Sequence, residues 1–408
     1  MTTPLFSELS IQITKSLTKK EKQQNGIFFT PSTITHLLIK VLCSNLDLSK
    51  KYSVIEPSCG SGEFVHPLFS YLQIEWIKGI EFHPIIFQKI SKNQFPNLEW
   101  IHQDFLKTNI KADIFIGNPP YFVLSKSQVP SSYSKYVEGR PNIFVLFILH
   151  ALHLLNDNGF IAFVIPSSFL NSKYYEKTRR YILEQFTIQE IIPFEEQNDF
   201  IETEQATIGL IVQKKKDLLD RNKNFVIRIS DQVMFFDSKS KLKLDQLYSG
   251  AISMKDFGLK VKTGPFVWNQ HKKELTLEPT EKSSLLVYNT NIVQNKFERK
   301  QFKNKEKKQY ISDGENVKGP MIVVNRGNGN SKYQFTYCYL DEKIEERGYT
   351  VENHLNMILG DKEKLLKVLE SFSNPKTKEF LTIYCGNNGL SKSEIETVLP
   401  VYIDSKNE

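Results

Sequence analysis

Val54-Ile55-Glu56-Pro57-Ser58-Cys59-Gly60-Ser61-Gly62 reads as a strand running into a glycine turn, and an apolar helix from Phe64 to Tyr71 follows it. Glycines in such a turn let the backbone approach a ligand closely and take up conformations that other residues resist. Strand, glycine turn and helix form the opening unit of an open α/β sheet, a fold that binds ligands at the carboxyl ends of its strands. The turn departs from the dinucleotide fingerprint, because Glu56-Pro57 sits inside it and a third glycine is missing. A phosphate would be repelled by Glu56 and Glu63, whereas a cation or an ammonium group would be held. S-adenosylmethionine carries a sulfonium and an ammonium and no phosphate.

Outward from this turn, strands and helices alternate up to about Lys215. Strands are expected at Ile77–Ile80, Trp100–Ile101, Asp113–Ile116, Phe160–Ile165, Ile188–Pro193 and Ala206–Val212. Helices are expected at Pro84–Ile90, Ile143–Leu155 and Tyr174–Gln185, with a sharp turn at Asn156-Asp157-Asn158-Gly159. The alternation predicts a parallel sheet covered on both faces. Glu81 ends the second strand, 19 residues past Gly62, where an acid is placed to bind ribose hydroxyls. Asp104, followed by Phe105, ends the third and is placed to accept from an adenine amino group. A lone acid at a strand end is ordinarily solvated surface. Three acids at successive strand ends, on the ligand-binding edge, are not so easily dismissed.

The fourth strand runs into Asn118-Pro119-Pro120-Tyr121. Two successive prolines remove two N–H donors and keep their carbonyls. The asparagine adds an amide, and the tyrosine adds a flat ring with a polar tip. Such a loop can accept hydrogen bonds from an amino group and stack on the ring that bears it. Taken alone the tetrapeptide is also an ordinary proline turn; the upstream segments give it weight.

The chain of 408 residues is long enough for two domains, and its formal charge of +7 suits a polyanionic partner without demanding one. Cys43, Cys59, Cys338 and Cys385 lie far apart with no CxxC spacing, which argues against a disulfide framework or a zinc site. No signal peptide or membrane-spanning run is evident, so a cytoplasmic protein is expected. After Lys214-Lys215-Lys216 the rhythm changes and charges thicken. The expected division is a catalytic domain over 1–220, a linker region over 221–250 and a second domain, mixed α+β, over 251–408.

Together these segments resemble the N6-adenine DNA methyltransferases of restriction–modification systems, in the motif order of the gamma group. Gly26-Ile27-Phe28-Phe29-Thr30-Pro31 resembles the family's leading cofactor motif; Thr30 is expected to cap the next helix and touch the methionine moiety, with Pro31 at its first position. Glu56, Cys59, Gly60 and Gly62 match the glycine motif, Glu81 the ribose acid, Asp104 the adenine acid, and Asn118 to Tyr121 the catalytic motif. The resemblance implies a Rossmann-like S-adenosylmethionine-dependent methyltransferase sheet followed by a C-terminal target-recognition domain. It implies cofactor contacts from Thr30, Glu56, Cys59, Gly60, Gly62, Glu81, Asp104, Phe105 and Pro120, and no metal. Catalytic roles fall to Asn118, Pro119 and Tyr121, and to Phe200 as the second face of a base sandwich, with Phe194 as its competitor. Double-stranded DNA is the implied partner, with a cognate restriction endonuclease in the same system and a monomeric enzyme.

In the second half, Trp268, Lys303 and Arg326 are the candidate DNA contacts: an arginine on a glycine-rich loop suits a guanine edge and lysines suit phosphates. Most of the run Lys296 to Lys308 is equally well read as solvated surface. RNA adenine and a protein glutamine amide fit the same tetrapeptide chemistry, and a modification subunit that needs partners is a further alternative. The early Thr30-Pro31 helix and the long basic second half favour DNA.

Overall fold

A computed structural model of the chain describes residues 5–194, 206–215, 220–312, 316–326, 333–385 and 389–403. It divides into two compact units, Met1–Leu242 and Lys243–Glu408.

The first unit begins with two helices that the sequence reading did not anticipate, α1 (Glu8–Ser16) and α2 (Lys19–Asn25). Their signal was local: Thr18 and Glu21 form a reciprocal capping box at the start of α2. Helix α3 (Ser32–Cys43) follows. Then come β1 (Lys51–Glu56), α4 (Val65–Tyr71), β2 (Gln73–Glu81), α5 (Pro84–Ile90), β3 (Leu98–His102), β4 (Ala112–Gly117), α6 (Ile143–Leu154), β5 (Leu155–Pro166), α7 (Glu176–Gln185), β6 (Thr187–Pro193) and β7 (Thr207–Gln213). Seven strands form one sheet in the order β3-β2-β1-β4-β5-β7-β6. The fold is α/β and Rossmann-like.

The expected all-parallel sheet is corrected at one strand. β7 runs antiparallel to both β5 and β6, while every other pairing is parallel. Periodicity reports that a segment is a buried strand and is blind to its direction. The turn at Asn156–Gly159 is an excursion within β5: Ala112 pairs with Leu155, Ile114 pairs next with Phe160, and Asn158 takes up the left-handed conformation.

Helix α6 is apolar all round and buried along nearly its whole length, as suits a helix inside a domain. Its one polar interior side chain, His150, lies within hydrogen-bond distance of the Tyr133 hydroxyl (2.7 Å) and the Thr108 carbonyl (3.1 Å). Among the described residues no helix is long and apolar enough to cross a membrane. The order of strands reverses between β1 and β4, each of which leads into a loop at its carboxyl end. That switch point is where an open α/β sheet leaves a crevice.

The stretch 221–250, expected as a linker, is instead structured. It holds the antiparallel hairpin β8 (Val226–Ile229) and β9 (Gln232–Phe235), and helix α8 (Ser238–Tyr248), within which the two units divide. Val233, Met234 and Phe235 are buried, and Arg179 of α7 donates to the Val233 carbonyl at 2.7 Å. The break between the units does fall within this segment, but three buried apolar side chains in a row make its hairpin part of the first unit.

The second unit is mixed α+β. An antiparallel sheet joins 260–263, 355–359, 321–325 and 337–340 in that order, and a smaller mixed sheet joins 275–276, 310–311, 284–287 and 349–351, the last two running parallel. Helices Lys362–Ser373, Pro375–Cys385 and Lys392–Thr397 follow.

Candidate active site

A cavity of about 360 Å³ opens at the switch point of the first unit. That volume falls within the range of small-molecule sites, about 300–1,000 Å³. Its walls come from the segment before α3, the glycine turn, the ends of β2 and β3, and the loop after β4. Thr30, Glu56, Cys59, Gly60, Glu81, Asp104, Phe105, Asn118 and Pro120 all line it. Gly62 does not; it shapes the turn from behind, with its amide on the Cys59 carbonyl at 2.7 Å and a left-handed backbone. Among the described residues Pro119 and Tyr121 also lie outside the lining.

Glu56 ends β1 with its side chain almost wholly buried, and its Oε2 has no hydrogen-bond partner. Burial, and then the nearby negative charge of Glu63, push its carboxyl well above the usual carboxylate range. An orphaned acid oxygen on a cavity wall is suited to a cationic ligand. Glu81 is different, because its two oxygens already accept from the amides of Gly60 (2.9 Å) and His83 (2.7 Å). A carboxylate has about four acceptor positions. Glu81 therefore fastens the glycine turn to β2 and retains capacity for a pair of hydroxyls.

Asp104 caps the 3-10 turn Phe105–Lys107 with one oxygen, accepting from the Leu106 amide at 3.1 Å, while its other oxygen faces the exposed Lys107 ammonium at 3.9 Å, a partner that a ligand could displace. Phe105 is buried against Phe115, Phe147 and His150. Cys59 is buried, and desolvation holds its thiol well above its ordinary range, so it is a wall and not a nucleophile. This donor set fits S-adenosylmethionine: a buried acid with an unpartnered oxygen for its positive charge, a second acid with free acceptor positions, and aromatic walls.

The expected role of Thr30 as a helix cap is corrected. Pro31 occupies the cap position of α3 and Ser32 begins the helix, with no side-chain cap. The Thr30 hydroxyl instead accepts from the Asn118 amide nitrogen at 3.0 Å, and the Phe28 carbonyl accepts from the same nitrogen at 3.2 Å. The Asn118 side-chain oxygen accepts from the Tyr121 hydroxyl at 2.5 Å; that hydroxyl also lies 2.8 Å from the Val164 carbonyl. The Tyr121 ring lies near Phe28 (6.3 Å, stacked) and edge-on to Phe144 (6.1 Å).

Two glycines permit this loop. Gly117 ends β4 at φ +154°, against the Glu56 side chain. Gly26 closes α2 in the left-handed conformation, and a side-chain carbon there would stand 2.5 Å from the Tyr121 amide nitrogen. The segment before α3 thus lies directly on the Asn118–Tyr121 loop.

Two sets of contacts at the site escaped the sequence reading. The Ser58 hydroxyl donates to the Asn118 carbonyl at 3.1 Å. Glu63 accepts from Ser7 at 2.8 Å and from Ser10, which ties α1 to the glycine turn. Nothing in sequence spacing links residues so far apart. Phe200, together with Glu195, Glu196 and Glu204, lies outside the described residues. Its competitor Phe194 packs on Gly209 beside the core, as a structural residue would.

In the second unit, Trp268 packs beside a small core of Phe266, Tyr288 and Ile311, with the Lys307 ammonium 4.9 Å from its ring. Lys303 is exposed. Arg326 follows the strand Met321–Asn325 and donates to the Asn353 carbonyl at 2.9 Å. Among the described residues no cluster of metal-ligating side chains is present.

A cavity at the switch point is where open α/β sheets generally hold a ligand, and sequence comparison narrows the class. Residues 68–200 match the Eco57I restriction-modification methylase family. The type II methyltransferase M.CvrRI of Paramecium bursaria Chlorella virus XZ-6E is 26% identical over 98% of this chain and 99% of its own length. The modification methylase CviBIII of Paramecium bursaria Chlorella virus NC1A is 25% identical over 96% and 98%. The type II methyltransferase M.AccI of Acinetobacter calcoaceticus is 27% identical over 51% of this chain and 40% of its own length. The chain is related in sequence to the methyltransferases of restriction–modification systems.

Proposed function

We propose that this protein transfers a methyl group from S-adenosylmethionine to N6 of an adenine flipped out of duplex DNA, and that the mark protects DNA from a cognate restriction endonuclease. The observation that carries this reading is the Asn118 amide. It stands on the wall of a cavity whose buried acid, Glu56, has an oxygen without a partner. The near-complete overlap with M.CvrRI and CviBIII supports the same reading for the second unit, as the part that recognises a target sequence.

S-adenosylmethionine supplies an electrophilic sulfonium methyl. Glu56 holds its positive end, while Glu81 and Asp104 take the ribose and adenine. An adenine inside a duplex cannot reach that methyl and must leave the stack, at a cost of a few kcal/mol that pocket contacts offset. The Asn118 side-chain oxygen and the Pro119 carbonyl accept the two N6–H bonds. N6 is a weak nucleophile because its lone pair is conjugated with the ring. Two acceptors pull the amine toward tetrahedral geometry and aim the lone pair at the methyl. Positioning and electrostatics then supply most of the rate. The nitrogen, cationic after transfer, releases its proton to water without a dedicated base. Tyr121 and Phe200 sandwich the base; for Tyr121 this means exchanging its hydroxyl's bond to Asn118 for ring contact.

In a radiolabel assay with duplex DNA, Asn118→Ala is expected to keep cofactor affinity while turnover falls by about 1,000-fold. Near-normal turnover in that variant overturns the assignment of Asn118. Labelling of RNA or of a glutamine-containing peptide, with duplex DNA left unlabelled, overturns the choice of substrate.

A further inference from the structure

The amide of Asn118 poses an orientation problem. Its oxygen and nitrogen are nearly the same size, and a half-turn exchanges them. One orientation presents an acceptor to the incoming amine, whereas the other presents a donor to a donor. What holds the productive orientation lies about 90 residues away in the chain.

The Phe28 carbonyl can only accept, so the atom of Asn118 facing it must be the nitrogen. The Thr30 hydroxyl takes that nitrogen's second hydrogen, at 3.0 Å. With both N–H bonds engaged, the side-chain oxygen is directed away from the segment before α3. Thr30 is only 3% exposed, so water does not readily replace its hydroxyl as a partner. The contact is anchored on both sides. Gly26 lets the end of α2 rest on the Tyr121 amide, and Ser58 holds the Asn118 carbonyl. On the far side of the amide, the Tyr121 hydroxyl donates to the Asn118 oxygen, as the N6–H group would.

We infer that Thr30 is a positioning residue for Asn118: its hydroxyl locks the amide with the oxygen toward the amine, and the Tyr121 hydroxyl keeps that oxygen satisfied until the base arrives. This rests on the functional reading above and adds to it a role for Thr30 besides its place on the cofactor wall.

The test uses the full-length protein and separates turnover from cofactor binding. Thr30→Val keeps the shape and removes the acceptor; Thr30→Ser restores it. At saturating cofactor and duplex DNA, Thr30→Val is expected to lower kcat by about 10- to 100-fold, because an amide with one buried N–H unpaired no longer holds one orientation. Its Kd for S-adenosylmethionine, read by calorimetry, is expected within about threefold of the unchanged protein, since the hydroxyl-to-methyl swap leaves the acids of the cofactor wall in place. Thr30→Ser is expected to recover most of kcat. If Thr30→Val melts well below the unchanged protein, Thr30→Ala replaces it, and the ratio of kcat between Thr30→Ser and Thr30→Ala carries the same information.

Weakened cofactor binding with unchanged kcat makes Thr30 a cofactor contact only and overturns the inference. So does equal kcat in the serine and alanine variants. If the unchanged protein binds cofactor and fails to methylate DNA, the functional reading falls and the inference falls with it.

Discussion

The loop around Asn118 and the basic stretch around Lys303 are both polar segments proposed to meet a substrate, and they are built in opposite ways. Around Asn118 the polar contacts come from backbone carbonyl, serine and threonine groups and from the Tyr121 hydroxyl held on a rigid ring, reached from the glycine turn, the loop after β4 and the segment before α3. In the stretch from Lys296 to Tyr310 the side chains are long, and several are already engaged. Lys307 lies over Trp268 and Tyr288, Lys308 donates to the Leu275 carbonyl, and Arg299 pairs with Glu345. The first arrangement suits chemistry, where an atom must be held in place. The second suits a polyanion, to which many loosely placed charges contribute a little each.

Three substitutions probe that difference, beginning with the largest expected effect. Glu56→Gln removes the buried acid whose second oxygen has no partner. Cofactor affinity is expected to fall on the order of 10- to 100-fold by calorimetry, the loss of a charge-assisted hydrogen bond. The free protein is expected to gain stability at neutral pH. The folded chain binds the Glu56 proton more tightly than the unfolded chain does. Stability of the unliganded protein therefore falls as pH rises from the ordinary carboxylate value of 4.5 through the raised one, and glutamine abolishes that loss. Cofactor binding by the unchanged protein should weaken as pH falls through the raised pKa, because the proton must leave before a cation takes its place. A variant with the same pH profile would show that another group carries the charge.

Arg326→Ala comes next. If Arg326 reads a guanine edge, discrimination at one base-pair position should fall by about 1–3 kcal/mol, measured by modification across a library of sites. Uniform loss over all sequences would place Arg326 with the phosphate contacts. Lys303→Ala should have the smallest effect, about a two- to threefold weaker and sequence-independent affinity with a shallower salt dependence. A specificity change from Lys303→Ala would erase the contrast between the two regions.

Much of the first unit was legible in advance because its strands are buried on both faces and read as continuous apolar runs. Ile114-Phe115-Ile116 and Phe160 to Ile165 lie within β4 and β5 for that reason. Turn chemistry located the ends, and the acids that follow those ends line the cavity. Within 221–250, where the units divide, the sequence hid a short buried hairpin because lysines and aspartates flank it, and charge density is a property of the surface those flanks make. Thr30 misled more instructively. Threonine before proline and a helix is a good capping pattern, but the hydroxyl found a stronger claim in an amide that no local pattern brings near it.

The sequence by itself determined the order of the elements, the glycine turn, the acids at the strand ends and the chemistry available to Asn118 through Tyr121. These are local properties: apolar periodicity, turn residues and functional groups. Only the tertiary structure decided that β7 runs against its neighbours, that Glu56 keeps an unpartnered oxygen while Glu81 spends two positions on backbone amides, and that Thr30 and Phe28 set the Asn118 amide. Each of those depends on which groups share a buried volume, and burial is decided by packing between segments far apart in the chain.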